Sequence, residues 1–222
     1  MRPLMREFST PVMIVGNAPH LPSYIAPYLP RMPLIALDGG LHFIEEAGEV
    51  AELLIGDMDS ISPHTHRAAR DVIALAEQDH NDFEKALYSV RAPLMVGAAL
   101  LGGRSDQHYA SLHLCAKYHR DQPIILCGDE DVVFVTSGRT SLSLEAGHLC
   151  SVLPLAPVEF AVSDGLLWSV AGQELTLGGL ISSSNELAAD ELILDPEPSY
   201  RTTPYILTFD AALLPHLLQA LS

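Results

Sequence analysis

The sequence predicts an α/β domain built on a parallel sheet, followed by an all-β, sandwich-like domain. Two patterns lead to that expectation. Up to about residue 127, short uninterrupted apolar runs alternate with helix-like stretches, as strands do when helices cover both faces of their sheet. After Gly128 the segments become short, often alternating, and broken by Gly, Pro, Ser and Asp, which is the texture of antiparallel strands. The composition supports packed cores: 48% of residues are hydrophobic and 18% charged, and 222 residues suffice for two modest domains. The simplest partition gives a first domain at 1–130 and a second at 131–222.

The strand candidates of the first part are VMIV (12–15), LIAL (34–37), ELLIG (52–56), DVIAL (71–75), PLMVGAALLGG (93–103) and PIILCG (123–128). Asn81 can cap a helix whose first turn carries Asp82 and Glu84, where carboxylates meet the positive end of the helix dipole. Phe83, Ala86, Leu87 and Val90 then recur at helical spacing. A second helix is expected over 106–118, with Leu112, Cys115 and Ala116 for its buried face. In the second part VVFVT, TSLSLEAG, LCSVLPL, VEFAVS, ELTLGG and YILTF read as short strands.

Charge and residue usage exclude several classes. A formal charge of −16, from 28 acidic and 12 basic residues, repels phosphate backbones and argues against a nucleic-acid partner. The longest apolar stretch, around 93–101, is too short to span a bilayer. Glu7 and Pro11 interrupt the stretch a signal peptide would need, so a cytoplasmic protein without membrane association is expected. Cys115, Cys127 and Cys150 form no CxxC pair and read as buried apolar side chains. His64 and His66 read as solvated loop residues.

The chemistry-bearing residues gather where apolar runs end. LIAL leads into Asp38, Gly39 and Gly40; ELLIG into Asp57, Met58, Asp59 and Ser60. DVIAL is followed by Gln78, Asp79, His80, Asn81 and Asp82. The run at 93–101 ends in Gly102, Gly103, Arg104, Ser105 and Asp106. Ligands of open parallel sheets bind outside the carboxyl ends of the strands, so these four segments are expected to converge. Asp57 and Asp59, two apart, point the same way if locally extended and suit a hard cation such as Mg²⁺. Arg104 offers a planar fork that can bind two phosphate oxygens. Carboxylates and an arginine at one sheet edge point to phosphoryl chemistry. No GxxxxGK[ST] and no GxGxxG after the first strand is present.

In order along the chain, DGG (38–40), GDMDS (56–60), QDxxDFEKAL (78–87), GGRSD (102–106), SVLPL (151–155), GLLW (165–168) and SSSN (182–185) resemble the motifs of thiamine diphosphokinases. The resemblance spans roughly 36–187. It implies an α/β ATP-binding catalytic domain, a β-sandwich-like thiamine-binding domain, and a homodimer with sites between subunits. It implies Mg²⁺ held by Asp57, Asp59 and Asp82, with Gln78, Arg104 and Asp106 handling phosphates and reacting groups. Asp38, Gly39, Gly40, Gly102 and Gly103 fall with Arg104 on the ATP side; Ser182, Ser184 and Asn185 fall on the segment that contacts thiamine. Trp168 matches a family tryptophan and is expected to pack in the β core. The implied reaction moves diphosphate from ATP to the thiamine hydroxyl, with Asp106 as candidate base.

Three positions depart from the family pattern. Asn81 stands where threonine is common, Gln107 where a histidine follows the aspartate of GGRxD, and Ser111 where an asparagine is common. Two other readings share these residues. One is a diphosphokinase of another heterocyclic alcohol such as a pterin; the other is a thiamine- or nucleotide-binding protein without catalysis. The full set Asp57, Asp59, Asp82 and Arg104 speaks against the second, and SSSN against the first.

Overall fold

A computed structural model of the chain describes residues 4–57, 68–77 and 79–222. In chain order its elements are β1 (Arg6–Glu7), β2 (Val12–Val15), a 3₁₀ segment (Ser23–Arg31), β3 (Leu34–Leu37), α1 (Leu41–Glu46), β4 (Ala51–Gly56), β5 (Ala69–Ala74) and α2 (Asp82–Ser89). There follow β6 (Val90–Arg91), β7 (Met95–Ala98), α3 (Ser105–Tyr118) and β8 (Ile124–Cys127). The remainder is β9 (Asp131–Ser137), β10 (Thr140–Ser143), β11 (Cys150–Pro154), β12 (Val158–Asp164), β13 (Glu174–Leu175), β14 (Glu191–Pro196), β15 (Pro204–Asp210) and α4 (Leu214–Leu221). The chain divides into two compact units, 1–114 with 124–129 and 115–123 with 130–222. The last turn of α3 and the residues up to Pro123 therefore group with the second unit, which a division at 130 does not separate.

The first unit is a parallel sheet in the order β8-β7-β2-β3-β4-β5. Its central strands are apolar throughout because both faces are covered: every residue of β2, β3, β7 and β8 is buried. The chain proceeds from β2 to β3, β4 and β5 on one side, then returns to place β7 and β8 on the other. That reversal beside β2 is the topological switch point, where the loops leaving neighbouring strands part and open a crevice. The run at 93–103 is strand only over Met95–Ala98, because Ala99 takes a left-handed conformation (φ 52) and turns the chain out of the sheet. The small pair β1–β6 lies apart from this sheet.

The second unit holds two antiparallel sheets, β9-β15-β11 and β10-β14-β12-β13. Phe160 of β12 and Tyr205 of β15 meet edge to face with centroids 5.1 Å apart, so the sheets press their apolar faces together. Tyr205 is fully buried, and its hydroxyl donates to the Gly138 carbonyl at 2.9 Å and pairs with Thr140 Oγ1 at 2.7 Å. Burial pushes its pKa up. β14 was not anticipated, although ELILD alternates; ELTLGG forms only two residues of strand.

Helix α2 begins as expected, the Asn81 side chain accepting from the Glu84 N–H at 2.9 Å. Helix α3 buries Ser111, Leu114 and Cys115, whereas Leu112 and Ala116 are only half-buried. The three cysteines are free and buried. Among the described residues no helix is long and apolar enough to cross a membrane. His64, His66, Asp59 and Gln78 lie outside the described residues.

Candidate active site

The first unit opens a cavity of about 580 Å³ at its switch point. Three strand ends supply its wall: Gly16 to Pro19 after β2, Leu37 to Gly39 at the end of β3, and Ala99, Leu100 and Gly102 to Arg104 after β7. Asn81, Asp82 and Phe83 at the start of α2 close one side, and Gln107 and Ser111 of α3 another. The volume lies within the range of small-molecule sites, and the lining combines apolar Leu37, Phe83 and Leu100 with convergent polar groups.

Close backbone approach shapes the floor. A Cβ at position 40 would lie 2.2 Å from the Val15 carbonyl oxygen, so only glycine lets this turn pass over the end of β2. Gly40 is thus a packing residue, while Asp38 and Gly39 line the cavity. Asp38 has φ 38, a conformation that stores strain in a residue with a Cβ. Its Oδ1 is buried and makes no hydrogen bond among the described residues. A buried carboxylate oxygen in that state demands a donor or a cation. On the opposite wall Gly102 (φ 85) and Gly103 (φ 65) make the left-handed turn that carries the chain into α3.

Asp82 enters the cavity with one oxygen committed. Its Oδ1 accepts from Lys85 Nζ at 2.9 Å, and the lysine side chain is only 2% exposed. Asp57 follows β4 directly and is half-buried, but it is not among the residues lining this cavity. The donor chemistry of Asp57 and Asp82 suits a hard cation. Among the described residues no three His, Cys, Asp or Glu side chains gather in ligating geometry.

Arg104 lines the cavity, and its fork is occupied. Nε and Nη2 donate to the two oxygens of Asp106 at 3.1 and 2.6 Å. The hydrogen bonds from Arg104 hold the Asp106 carboxyl below the usual carboxylate range, and Asp106 in turn raises the guanidinium. Asp106 sits in the first turn of α3, and the Gln107 and His108 N–H groups both reach the Arg104 carbonyl. While Arg104 stays paired with it, Asp106 is a weaker proton acceptor than an unpaired carboxylate.

The family departures take definite places. Gln107 faces the cavity, whereas the ring of His108 turns toward the loop and its Nδ1 accepts weakly from Gly102 N at 3.4 Å. Ser111 donates to the Leu100 carbonyl at 2.9 Å and so ties α3 to the cavity wall. Sequence reasoning missed Asn17 and His42 as lining residues and Lys85 as the partner of Asp82. Asn17 follows VMIVG just as the chosen turns follow their strands, so its signal was present.

In the second unit Trp168 is 60% exposed, which corrects the expectation of core packing. It borders a small cavity of about 180 Å³ with Ser182, Ser183, Asn185 and apolar Leu180 and Ile181. Asn185 is 2% exposed. Its side chain and that of Ser182 are bonded to each other at 2.9 Å. Ser184, at φ 54, does not line this cavity and donates its N–H to Ser151 Oγ at 3.0 Å.

Comparison with known proteins matches both units to one family. A model described as the catalytic domain of thiamin pyrophosphokinase covers residues 31–127, and one described as its vitamin B1 binding domain covers 139–193. Thiamin pyrophosphokinase 1 of Caenorhabditis elegans is 26% identical over 183 residues, 74% of this chain and 75% of that protein. Thiamine pyrophosphokinase 1 of rice is 28% identical over 157 residues, 60% of this chain and 58% of that protein. Among solved structures, the thiamin pyrophosphokinase from Candida albicans superposes with a TM-score of 0.77 at 16% identity, covering 95% of this chain and 94% of that one. The thiamin pyrophosphokinase from Geobacillus thermodenitrificans gives 0.75 at 22% identity, covering 92% and 100%. These structural likenesses concern the fold.

Proposed function

The chain belongs to the thiamin pyrophosphokinase family, and on that premise we propose that it transfers the diphosphate of ATP to the hydroxyl of thiamine. The hydroxyl oxygen bonds to the β-phosphorus, the bridge between the α- and β-phosphates breaks, and AMP leaves. The hydroxyl proton is released with the products thiamine diphosphate and AMP. The observation that carries this reading is the switch-point cavity of the first unit, where Asp38, Asp82 and Arg104 line one space.

ATP is the nucleotide this cavity takes, its apolar lining at Leu37, Phe83 and Leu100 facing the base or ribose and its polar rim the phosphates. Arg104 carries charge on an exposed side chain and can exchange Asp106 for phosphate oxygens. Gln107 donates and accepts from α3. Asp57 and Asp82, with Asp59, would hold Mg²⁺, which supplies charge neutralisation on the transferred group. Gln78 belongs to the same phosphate-handling set. Transition states of phosphoryl transfer are loose, so orientation of hydroxyl and phosphate outweighs a strong base.

Thiamine binds to the second unit beside Trp168. Its thiazolium is a permanent cation, and an exposed indole face attracts such a cation more strongly than any other side-chain ring. Leu167, Leu177, Leu180 and Ile181, all exposed around that segment, are apolar surface that a second subunit would cover. A homodimer with shared sites follows from this reading.

The test is an AMP-release assay with ATP and Mg²⁺, run in parallel with thiamine and with a pterin alcohol. Release with thiamine alone is expected. Release with the pterin alone would assign a different acceptor, and binding of either without AMP would make the chain a non-catalytic relative.

A further inference from the structure

Asn185 belongs to the segment expected to touch thiamine, yet its amide has no capacity left for a ligand. Oδ1 accepts from Trp168 N–H at 3.1 Å and Glu186 N–H at 2.8 Å. Nδ2 donates to the Trp168 carbonyl at 2.6 Å and to Ser182 Oγ at 2.9 Å. A primary amide offers two donors and two acceptor sites, and all four are used. The orientation is fixed by the neighbours, because turning the amide over would set its N–H groups against two N–H donors. Its own backbone carbonyl accepts from Cys150 N–H at 2.9 Å, so the residue is anchored to β11 as well.

The backbone around Trp168 explains what this clamp replaces. Leu166 forms an isolated antiparallel bridge with Leu187, and Leu167 N–H reaches the Glu186 carbonyl at 2.8 Å. One residue later the ladder stops. At Trp168 both the N–H and the carbonyl are met by the Asn185 side chain instead of by a strand. Trp168 thus keeps the backbone fixity of a paired strand while its indole stays 60% exposed.

We infer that Asn185 is a positioning residue that acts on the acceptor substrate through Trp168: it clamps the Trp168 peptide so that the indole is presented at a set angle to the thiamine ring. This rests on the reading of thiamine as acceptor. The free energy of the contact belongs to the ring, and Asn185 lowers the entropy lost in ordering it. Ser182 braces the amide from its far side, which gives these two residues of the SSSN segment a structural purpose.

Trp168 is the only tryptophan in the chain, so its fluorescence reports the clamp without any substrate. The experiment compares Asn185→Ala, Ser182→Ala, Trp168→Ala and the double variant Asn185→Ala/Trp168→Ala. Indole anisotropy in the unliganded protein should fall in Asn185→Ala, and to a lesser degree in Ser182→Ala. KM for thiamine should rise on the order of tenfold in Asn185→Ala, with KM for ATP within about twofold of the parent. The double variant should be no worse toward thiamine than Trp168→Ala alone, since a residue acting through the ring has nothing to add once the ring is gone. Unchanged anisotropy, or thiamine defects that multiply in the double variant, would overturn the inference. Should Asn185→Ala not fold, the anisotropy of Ser182→Ala decides in the same way. If the parent releases no AMP with thiamine, the functional reading fails while the anisotropy still tests the clamp.

Discussion

Replacing Asp82 by Asn should destabilise the protein more than replacing its partner Lys85 by Met. The ammonium of Lys85 lies inside the first unit with its side chain 2% exposed, and Asp82 Oδ1 at 2.9 Å is the carboxylate that balances it. Neutralising Asp82 strands a buried charge, a change that costs about 3–5 kcal/mol. Asp82 is 29% exposed, so water screens part of the pair and the lower end, about 3 kcal/mol, applies. For a chain of this size that corresponds to a fall in Tm of roughly 6–12 °C. Lys85→Met removes the buried charge itself and keeps most of the volume, leaving a carboxylate that water can still reach. Its cost should be about 1 kcal/mol, or roughly 2–4 °C. Combining both changes should recover most of the loss in Asp82→Asn. Thermal melts by circular dichroism without Mg²⁺ or nucleotide isolate this effect from ligand binding. A melt of Asp82→Asn within a degree of the parent, or below which Lys85→Met falls, would refute the reasoning.

Asp57→Asn should lose most activity yet retain the parent's melt within about 1 kcal/mol, because the residue sits at a strand end rather than in the core; mixing it with Trp168→Ala chains should restore part of the activity if subunits share sites, and mixed dimers without any rescue would place each site within one chain. At the head of α3, Gln107→His should add a step to the pH profile of turnover between about pH 6 and 7, absent from the parent at that position, and His108→Ala should change the rate less than about threefold. A rate loss near a hundredfold in His108→Ala would transfer the role to that residue. The three thiols should resist alkylation until the protein unfolds, because all three are buried, and burial pushes the Cys150 pKa up to about 12 and raises that of Cys115 as well; labelling of the folded protein at neutral pH would contradict that burial.

The first unit was the more legible half for a physical reason. A strand buried on both faces must be apolar at every position, so β2, β3 and β8 appear as uninterrupted runs, and β4 as one after Glu52, whose ends mark the ligand-binding edge. The run at 93–103 hid its own end, because Ala99 leaves the sheet through a backbone turn that its side chain does not advertise. In the second unit each strand is apolar on one face only, and loops carry comparable alternation. The alternation of β14 does not stand out from that of the loops although it pairs with both β10 and β12, and Trp168 lies outside the core in which Phe160 and Tyr205 meet.

Motif order grouped Asp82 with Arg104, which line one cavity, but it could not show which atoms are already bonded within the chain. Asp82, Arg104 and Asn185 all have such partners, and burial separates their consequences. The Arg104–Asp106 pair is 77% and 61% exposed, and an exposed pair is worth about 0–1 kcal/mol. A polyphosphate, carrying more charge than one carboxylate, can therefore draw the guanidinium away from Asp106 at little cost. Lys85 and Asn185 are each 2% exposed, and separating either from its partners leaves buried polar groups unmet. No ligand contact repays that readily. On the proposed reading, Arg104 is accordingly the group of the three that can change partner when substrate arrives, while Asp82 would meet a ligand with the oxygen that Lys85 leaves, and Asn185 stays with Trp168.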